Sequence, residues 1–439
     1  MAEAHFETLY PANSRFDEIA QIFAFIKAGK SCQLIGLPGV GRTNVSELLI
    51  YNTKVRALHA GDNQKWFHFV GVDFSEVRNK PLLEVTKLMF LELVESLHER
   101  LMEEEYVFTS QVFKESLSFQ DELVLFQGLK KVIDYLAEEK ELTIIFLFER
   151  FEEYIPMLTS SLFSNLRILR NRAKYRFSVV FSLNRPLEDM VEPTTIADFY
   201  EFFLDQKVYL ALGNKVITDF RVSYLEKIAQ KQIEKHVVEK VLALTNGHGK
   251  LTRLCLEVYL QNADDIDEQT LLEKKPMQGA LLEIWYSLTP AEQDDLLNNA
   301  KKNEVISSTY LHNVFLVKDN TITIPLFANY VTTQLSKQPD QKIVYDETTN
   351  SIRKGNDLLS DMLTNSEFRL LKLLLLHEGM IVERNQIIDA VWGNLASTQG
   401  VSEQALDQLI FRLRKKIEEE PTNPEHIVTI KGRGIKYQS

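Results

Sequence analysis

A chain of 439 residues is long enough for about two to four domains, each able to bury its own core. Hydrophobic residues at 45% and charged residues at 26% fit an ordinary soluble globular protein and exclude a disordered or fibrous one. A net charge of −12 excludes a polycation that coats nucleic acid through its whole surface, so any DNA affinity must be local. The two cysteines, Cys32 and Cys255, lie far apart in apolar surroundings and read as buried free thiols. No run approaches the roughly 18 apolar residues of a membrane span. Met1–Glu7 lacks a basic region and an apolar core. The expectation is a cytoplasmic protein without membrane contact.

The first chemical signal is Ser31–Ile50, an apolar strand, a Gly/Pro loop and a helical run. Within it, Gly36-Leu-Pro38-Gly39-Val40-Gly41-Arg42-Thr43 has the spacing of a phosphate-binding loop and leads into Asn44. In such a loop, backbone N–H groups and a helix N-terminus cradle phosphates while the Thr43 hydroxyl meets Mg²⁺. Arg42 stands where lysine is usual; its planar guanidinium keeps the charge but fits a tight loop less well. ATP or ADP is the expected ligand, Mg²⁺ the expected metal, and a Gly-rich turn without ligand the competing reading.

Strands are expected at Trp66–Phe74, Glu141–Phe148, Phe177–Leu183 and Lys207–Leu212, with amphipathic helical stretches at 81–105 and 119–138 between the first two. Alternating strands and helices predict an α/β domain. The run Ile144-Ile-Phe-Leu-Phe-Glu-Arg-Phe-Glu-Glu153 puts Phe148 where a P-loop ATPase carries its Mg²⁺-organising Asp, leaving Glu149 as the candidate catalytic acid. Arg42 and Phe148 together make hydrolysis doubtful, so whether the chain is an enzyme stays open. A solvated acidic helix start is the bland meaning of Glu149, Glu152 and Glu153.

Roughly residues 10–265 resemble the AAA-like ATPases of the STAND and origin-recognition group. Asn13–Ile19 is similar to the segment that approaches their nucleotide, which implies a role for Arg15 beside the base. Ser164–Arg172 and Phe177–Arg185 look like the helix and sensor strand of that group. The resemblance implies that Asn184 or Arg185 senses the γ-phosphate. Leu244–Leu254 looks like the turn and helix of a small lid, with Arg253 as a second sensor.

Leu281–Leu297 is a capped helical run, and Tyr310–Tyr330 carries the turn Lys318–Thr321 between short β-branched runs. An internal winged helix is expected there, then a polar linker at Ser336–Gln341.

The last stretch begins with Thr364-Asn-Ser-Glu367, a capping-box signature before the apolar run Phe368–Leu376. A second helix is expected at Arg384–Trp392, a loop at Gly393–Gly400, a third helix from Ser402 to about Glu419, and a hairpin over Ile427–Tyr437. Leu406, Leu409, Ile410, Leu413 and Ile417 form a stripe that must be buried. Gln404, Gln408, Phe411, Arg412 and Lys415 point the other way, where glutamine can pair with adenine and phenylalanine can touch a thymine methyl. Seven basic residues against four acidic ones between Arg412 and Lys436 make this the locally cationic part of an acidic chain. Periodicity alone leaves a solvated amphipathic helix open.

This segment resembles the DNA-binding domain of OmpR/PhoB-type response regulators. Leu363-Thr364, Glu367-Phe368, Trp392-Gly393, Asp407, Arg412–Lys416, Pro421, Pro424, Gly432 and Gly434 stand in register. Lys342–Gly355 looks like the small sheet that precedes the first helix in that family. The resemblance implies double-stranded DNA as partner, the third helix in the major groove and the wing near Arg433 at the minor groove. The implied contact set is Ser402, Gln404, Gln408, Phe411, Arg412, Arg414, Lys415, Lys416, Thr429, Lys431 and Arg433. Several DNA-facing side chains common in the family are replaced here, and Ile435 stands where an aromatic is usual.

The expectation is a multidomain α/β plus α+β chain. A P-loop parallel-sheet NTPase core occupies 1–212, a helical lid 213–272, an internal winged helix 273–335 and a C-terminal winged helix-turn-helix 342–439. The implied function is a DNA-binding transcriptional regulator controlled by a hydrolysis-impaired nucleotide-binding domain, with homo-oligomerisation open. Two other readings stay open: a pseudo-ATPase signalling or defence scaffold, and an active ATPase acting on DNA.

Overall fold

The computed structural model describes residues 5–119, 121–262, 267–337, 343–347, 349–354, 357–393, 403–418, 421, 424, 426–430 and 432–438. The chain divides into two compact units, Met1–Thr332 and Thr333–Ser439.

The first unit opens with α1 (Phe16–Lys27), β1 (Cys32–Ile35), α2 (Arg42–Tyr51), α3 (Thr53–Ala60) and β2 (Phe67–Asp73). Three helices follow, α4 (Leu82–Glu99), α5 (Glu103–Leu117) and α6 (Glu122–Asp134), where two amphipathic stretches were expected. The extra break falls at Leu101, which takes a left-handed φ of 56°, and Asp121 restarts the chain by accepting from the Val124 N–H at 3.0 Å. Then come β3 (Thr143–Glu149), α7 (Ser160–Arg172), β4 (Phe177–Leu183), the short α8 (Pro193–Ile196) and β5 (Lys207–Tyr209).

The five strands form one parallel sheet in the order β2-β3-β4-β1-β5. Its central strands are buried throughout, from Ile144 to Phe148 and from Phe177 to Leu183, because helices cover both faces. That is why they read as continuous apolar runs rather than alternating ones. Strand β1 lies inside the sheet, so the loop that follows it emerges at the strands' C-terminal edge, where ligands of open α/β sheets bind. The fold is an open parallel α/β sheet with a glycine-containing loop between β1 and α2.

Helices α9 (Lys215–Ala229), α10 (Lys235–Thr245), α11 (Gly249–Asn262) and α12 (Glu268–Glu273) succeed the sheet. They are followed by α13 (Lys275–Tyr286), α14 (Pro290–Lys302), α15 (Thr309–Asn313), a hairpin of β6 (Val317–Lys318) and β7 (Thr321–Ile322), and α16 (Pro325–Lys337). A capping box at Thr289 and Glu292 starts α14.

The second unit has a three-stranded antiparallel sheet of β8 (Ile343–Asp346), β9 (Ser351–Lys354) and β10 (Asp357–Leu358). Next come α17 (Asn365–Leu376), β11 (Ile381–Val382), α18 (Arg384–Trp392), α19 (Glu403–Ile417), β12 (Ile427–Ile430) and β13 (Gly434–Tyr437). Both bonds of the capping box expected at Thr364 and Glu367 are present. Strand β13 pairs with both β12 and β11. The expected stripe Leu406, Leu409, Ile410, Leu413 and Ile417 lies in the core of this unit with Leu370, Leu371 and Leu374.

Candidate nucleotide cleft and nucleic-acid interface

The loop after β1 is shaped by two glycines with positive φ, Gly39 at 78° and Gly41 at 112°. A Cβ on Gly39 would sit 2.8 Å from the Lys250 Cβ, so this position needs glycine for both conformation and space. Gly41 caps α2, and the N–H groups of its first turn lack intrahelical acceptors. Beside them an open cleft of about 480 Å³ is lined by Gly39, Gly41, Arg42, Thr43, Asn44, Glu47, Lys250 and Arg253, with Phe6, Glu7, Tyr10 and Arg221. The structure thus brings the predicted residues Gly39, Gly41, Arg42, Thr43, Asn44 and Arg253 together. Gly36, Pro38 and Val40 belong to the loop behind them, and Leu37 and Val40 are buried.

The turn between α10 and α11 holds the loop from behind. The Lys250 N–H donates to the Gly39 carbonyl at 2.9 Å, and His248 Nε2 lies 2.9 Å from the Pro38 carbonyl oxygen. Burial pushes His248 down to about 4, so it is neutral and donates this bond. The Pro38 and Gly39 carbonyls are thereby occupied by that turn, while the α2 N-terminus faces the cleft.

The carboxylate beside Thr43 is Glu149. Its side chain is hydrogen-bonded to the Thr43 hydroxyl. This corrects the expectation that Phe148 holds the metal-organising position. Side chains alternate along a strand, and Phe148 is the one turned into the core, against Phe74, Phe151 and Phe181. Burial pushes the Glu149 carboxyl up to about 7, with repulsion from Asp73 adding; the Thr43 bond, Arg150 and Arg42 pull the other way. Thr43 and Glu149 are oxygen donors of the kind Mg²⁺ takes. Glu47 is pushed up to about 8 by burial, then by Glu7 and Glu149.

Arg42 does not project freely into the cleft. It bonds Glu152 at 2.8 Å, with the two side chains 13% and 19% exposed. Arg42 Nη1 and Glu152 Oε2 are buried without a hydrogen-bond partner. An anion at the loop would supply the acceptor that Nη1 lacks, so the residues fit a phosphate. Lys250 and Arg253 are likewise paired, with Glu283 at 2.7 Å and Glu257 at 3.2 Å.

Two predicted residues have other tasks. Arg15 is buried and bonds Glu18 at 2.9 Å and the carbonyls of Ala211 at 2.8 Å and Val40 at 2.9 Å. It fastens the loop rather than offering a free guanidinium to a base. Arg185 pairs with Glu292 at 2.5 Å and stacks 4.0 Å from the Tyr310 ring centroid, while the Tyr310 hydroxyl donates to the Asn184 carbonyl at 2.6 Å. The end of β4 is thereby wired to α14 and α15, and the Arg185 guanidinium makes its contacts there. The side-chain oxygen of Asn184 has no hydrogen-bond partner. Sequence reasoning placed Glu152 only in an acidic cluster and missed its pairing with Arg42, and it missed the roles of Glu292 and Tyr310, since no local pattern marks a partner more than 100 residues away.

In the second unit, Gln404, Gln408, Phe411, Arg412 and Lys415 are all exposed on α19, with Lys415 Nζ 5.0 Å from the Phe411 ring centroid. Thr429 and Arg433 border a groove of about 920 Å³ between the first turns of α18 and α19 and the wing. A Cβ on Gly434 would lie 2.2 Å from the Val382 carbonyl oxygen, which explains glycine where β13 meets β11. Ile435, in place of an aromatic, is buried in that contact.

Arg414 and Lys416 depart from the expected contact set. Arg414 donates to the Ile427 carbonyl at 2.7 and 3.0 Å and to the Thr429 hydroxyl at 2.8 Å, tying helix to wing. Lys416 bonds the Met362 carbonyl at 2.8 Å and Glu367 at 2.6 Å, closing over the capping box. Both guanidinium and ammonium find acceptors close to α19, so neither is free for phosphate. Ser402 and Lys431 lie outside the described residues.

Among the described residues no helix is long and apolar enough to cross a membrane. Residues 362–437 match the family described as "Transcriptional regulatory protein, C terminal". Over 72 residues the chain is 46% identical to the sensory transduction protein RegX3 of Mycolicibacterium smegmatis, covering 16% of this chain and 30% of the relative. It is 38% identical over 93 residues to the probable transcriptional regulator ycf27 of Porphyridium aerugineum, covering 21% and 38%. The chain therefore spans only about a third of the length of these curated relatives. Among solved structures, the RstA DNA-binding domain of Klebsiella pneumoniae in complex with the RstA box aligns at 24% identity, covering 22% of this chain and 90% of that one, with a TM-score of 0.19. The Walker-type ATPase PABY2304 of Pyrococcus abyssi aligns at 15% identity, covering 78% and 93%, with a TM-score of 0.45. Residues 362–437 thus match the C-terminal domain family of transcriptional regulatory proteins, on a chain whose larger part is built around a five-stranded parallel α/β sheet.

Proposed function

We propose that this protein is a DNA-binding transcriptional regulator whose winged-helix output responds to a nucleotide held at Gly36–Asn44. The observation that carries the nucleotide half is the grouping of Thr43, Glu149 and the open first turn of α2 at one edge of the sheet. ATP or ADP would lie with its phosphates on the N–H groups of that turn, with Arg42 as the cation and Thr43 and Glu149 toward Mg²⁺. Bound Mg²⁺ would supply charge neutralisation for the phosphates. Arg253 and Lys250, on the lid, stand at the cleft wall where a bound phosphate would compete with Glu257 and Glu283 for them.

The reading treats 1–212 as the nucleotide core, 213–272 as the lid, 273–335 as an internal winged helix with β6 and β7 as its wing, and 342–439 as the output domain in a cytoplasmic protein. Nucleotide changes the output only to the extent that it binds one conformation better than another. A scaffold that uses the winged helices for protein contacts is the second reading, favoured by the inward turn of Arg414 and Lys416.

The test is a titration of purified protein against duplex DNA from upstream of its own coding sequence, at two salt concentrations, without nucleotide and with ATP or ADP. Salt-dependent binding that shifts with nucleotide supports the proposal. Salt-dependent binding that ignores nucleotide, in a protein with no nucleotide affinity, rejects the switch. Absence of duplex binding rejects the regulator in favour of the scaffold.

A further inference from the structure

The exposed stripe of α19 has a composition that names its target. At 100° per residue, Gln404, Gln408, Phe411 and Lys415 fall within about 60° of one another, opposite the buried leucines. Among the described residues nothing hydrogen-bonds the Gln404 or Gln408 side chains, and Phe411 is 44% exposed. No arginine lies on the stripe itself, and its one lysine, Lys415, sits over the Phe411 ring at the C-terminal end of the stripe. Arg412 is offset by about 80° from Gln404, toward a groove wall. The acids on the other flank, Glu403 and Asp407, are held by Arg384 at 3.8 and 2.6 Å, which moderates their repulsion of a phosphate backbone.

Major-groove chemistry then discriminates. A glutamine amide pairs bidentately with adenine N6 and N7, and an apolar side chain meets the thymine C5-methyl, whereas guanine is read mainly by arginine or lysine. Gln404 and Gln408 are four residues apart, about 6 Å along the helix, or roughly two base-pair steps of 3.4 Å. Phe411 lies about 4.5 Å further along. Resting on the DNA-binding reading above, we infer that α19 selects an A·T-rich major-groove site, with two adenines about two base pairs apart read by Gln404 and Gln408 and an adjacent thymine methyl touched by Phe411.

The experiment selects bound sequences from a duplex pool with about 20 randomised base pairs, using the full chain. The selected site is then resynthesised with 7-deazaadenine, which lacks N7, or with uracil for thymine, which lacks the methyl. The expected result is an enriched motif of that spacing. Each 7-deaza substitution should weaken binding about fivefold or more, and uracil more mildly. Gln408→Ala or Gln404→Ala should lose sensitivity to one deaza position, and Phe411→Ala sensitivity to uracil. All three side chains are exposed, so circular dichroism should show the parent fold. A G·C motif, or deaza sensitivity that survives both glutamine variants, overturns the inference. Salt-dependent binding with no enriched motif overturns it while leaving the DNA-binding reading intact. No binding to the pool sinks both.

Discussion

The pair Arg185–Glu292 offers a quantitative test because Arg185 has two competing roles. As a sensor it would touch nucleotide; as a brace it holds β4 to α14. Glu292 accepts from Arg185 at 2.5 and 3.1 Å, from the Thr289 N–H at 2.8 Å and from the Ser308 hydroxyl at 3.0 Å. The two charged side chains are 12% and 8% exposed. Removing one partner of a buried pair costs about 3–5 kcal/mol, and loss of a capping bond about 1 kcal/mol more. The Tyr310 ring, 4.0 Å away, keeps Arg185 partly stabilised, an offset of roughly 1–2 kcal/mol. Glu292→Ala should therefore cost about 3 kcal/mol. Arg185→Ala should cost about 2 kcal/mol, since Glu292 retains Thr289 and Ser308, and the double variant should show about 1–2 kcal/mol of coupling. Burial raises the Glu292 carboxyl, but its bonds to Arg185 and Thr289 outweigh this and leave it below its ordinary value. Its contribution is therefore fully present above the unfolded carboxylate range and fades as pH falls through the folded value. Urea unfolding followed by fluorescence, with isothermal titration of ADP and ATP, measures both roles. Arg185→Ala with under about 0.5 kcal/mol of destabilisation and a tenfold loss of ATP affinity would refute the brace and restore the sensor.

Three further outcomes follow from the cleft and the wing. Glu152→Gln frees Arg42 from its carboxylate, so nucleotide affinity should rise about fivefold, equivalent to about 1 kcal/mol; unchanged or weaker binding by calorimetry removes Glu152 as a competitor of phosphate. Glu149 and Glu47 are raised above the unfolded value, to about 7 and about 8, so their stabilising contribution is present below the unfolded carboxylate range and lost as pH rises through 7–8. Glu149→Gln should gain on the order of 2–3 kcal/mol relative to the parent between pH 5 and pH 9, from about 1.36 kcal/mol per pKa unit, and Glu47→Gln should gain in the same direction, with solvent screening of this half-exposed group reducing the effect. Parallel stability curves for variant and parent would falsify that. Gly434→Ala places a methyl 2.2 Å from the Val382 carbonyl at a φ of 144°, and should destabilise the second unit by about 3 kcal/mol or more, measured by its own unfolding transition; a neutral result would show that β11 can move aside.

Much of this molecule is written in local patterns. The capping box at Thr364 and Glu367, the helix Arg384–Trp392, the buried stripe of α19 and the strand Phe177–Leu183 each depend on residues a few positions apart, and each is where the sequence puts it. The phosphate-loop spacing from Gly36 to Thr43 likewise ends on the N-terminus of α2. Tertiary structure alone decided the rest. In a strand buried on both faces there is no polar alternation to show which residue meets the loop, so Phe148 and Glu149 could be told apart only by packing. Arg42, Arg185, Arg414 and Lys416 carry long side chains with several rotatable bonds. Whether each reaches a ligand, a carboxylate or a backbone carbonyl depends on what the fold brings within about 3 Å, and those partners lie as far as 110 residues away in the chain.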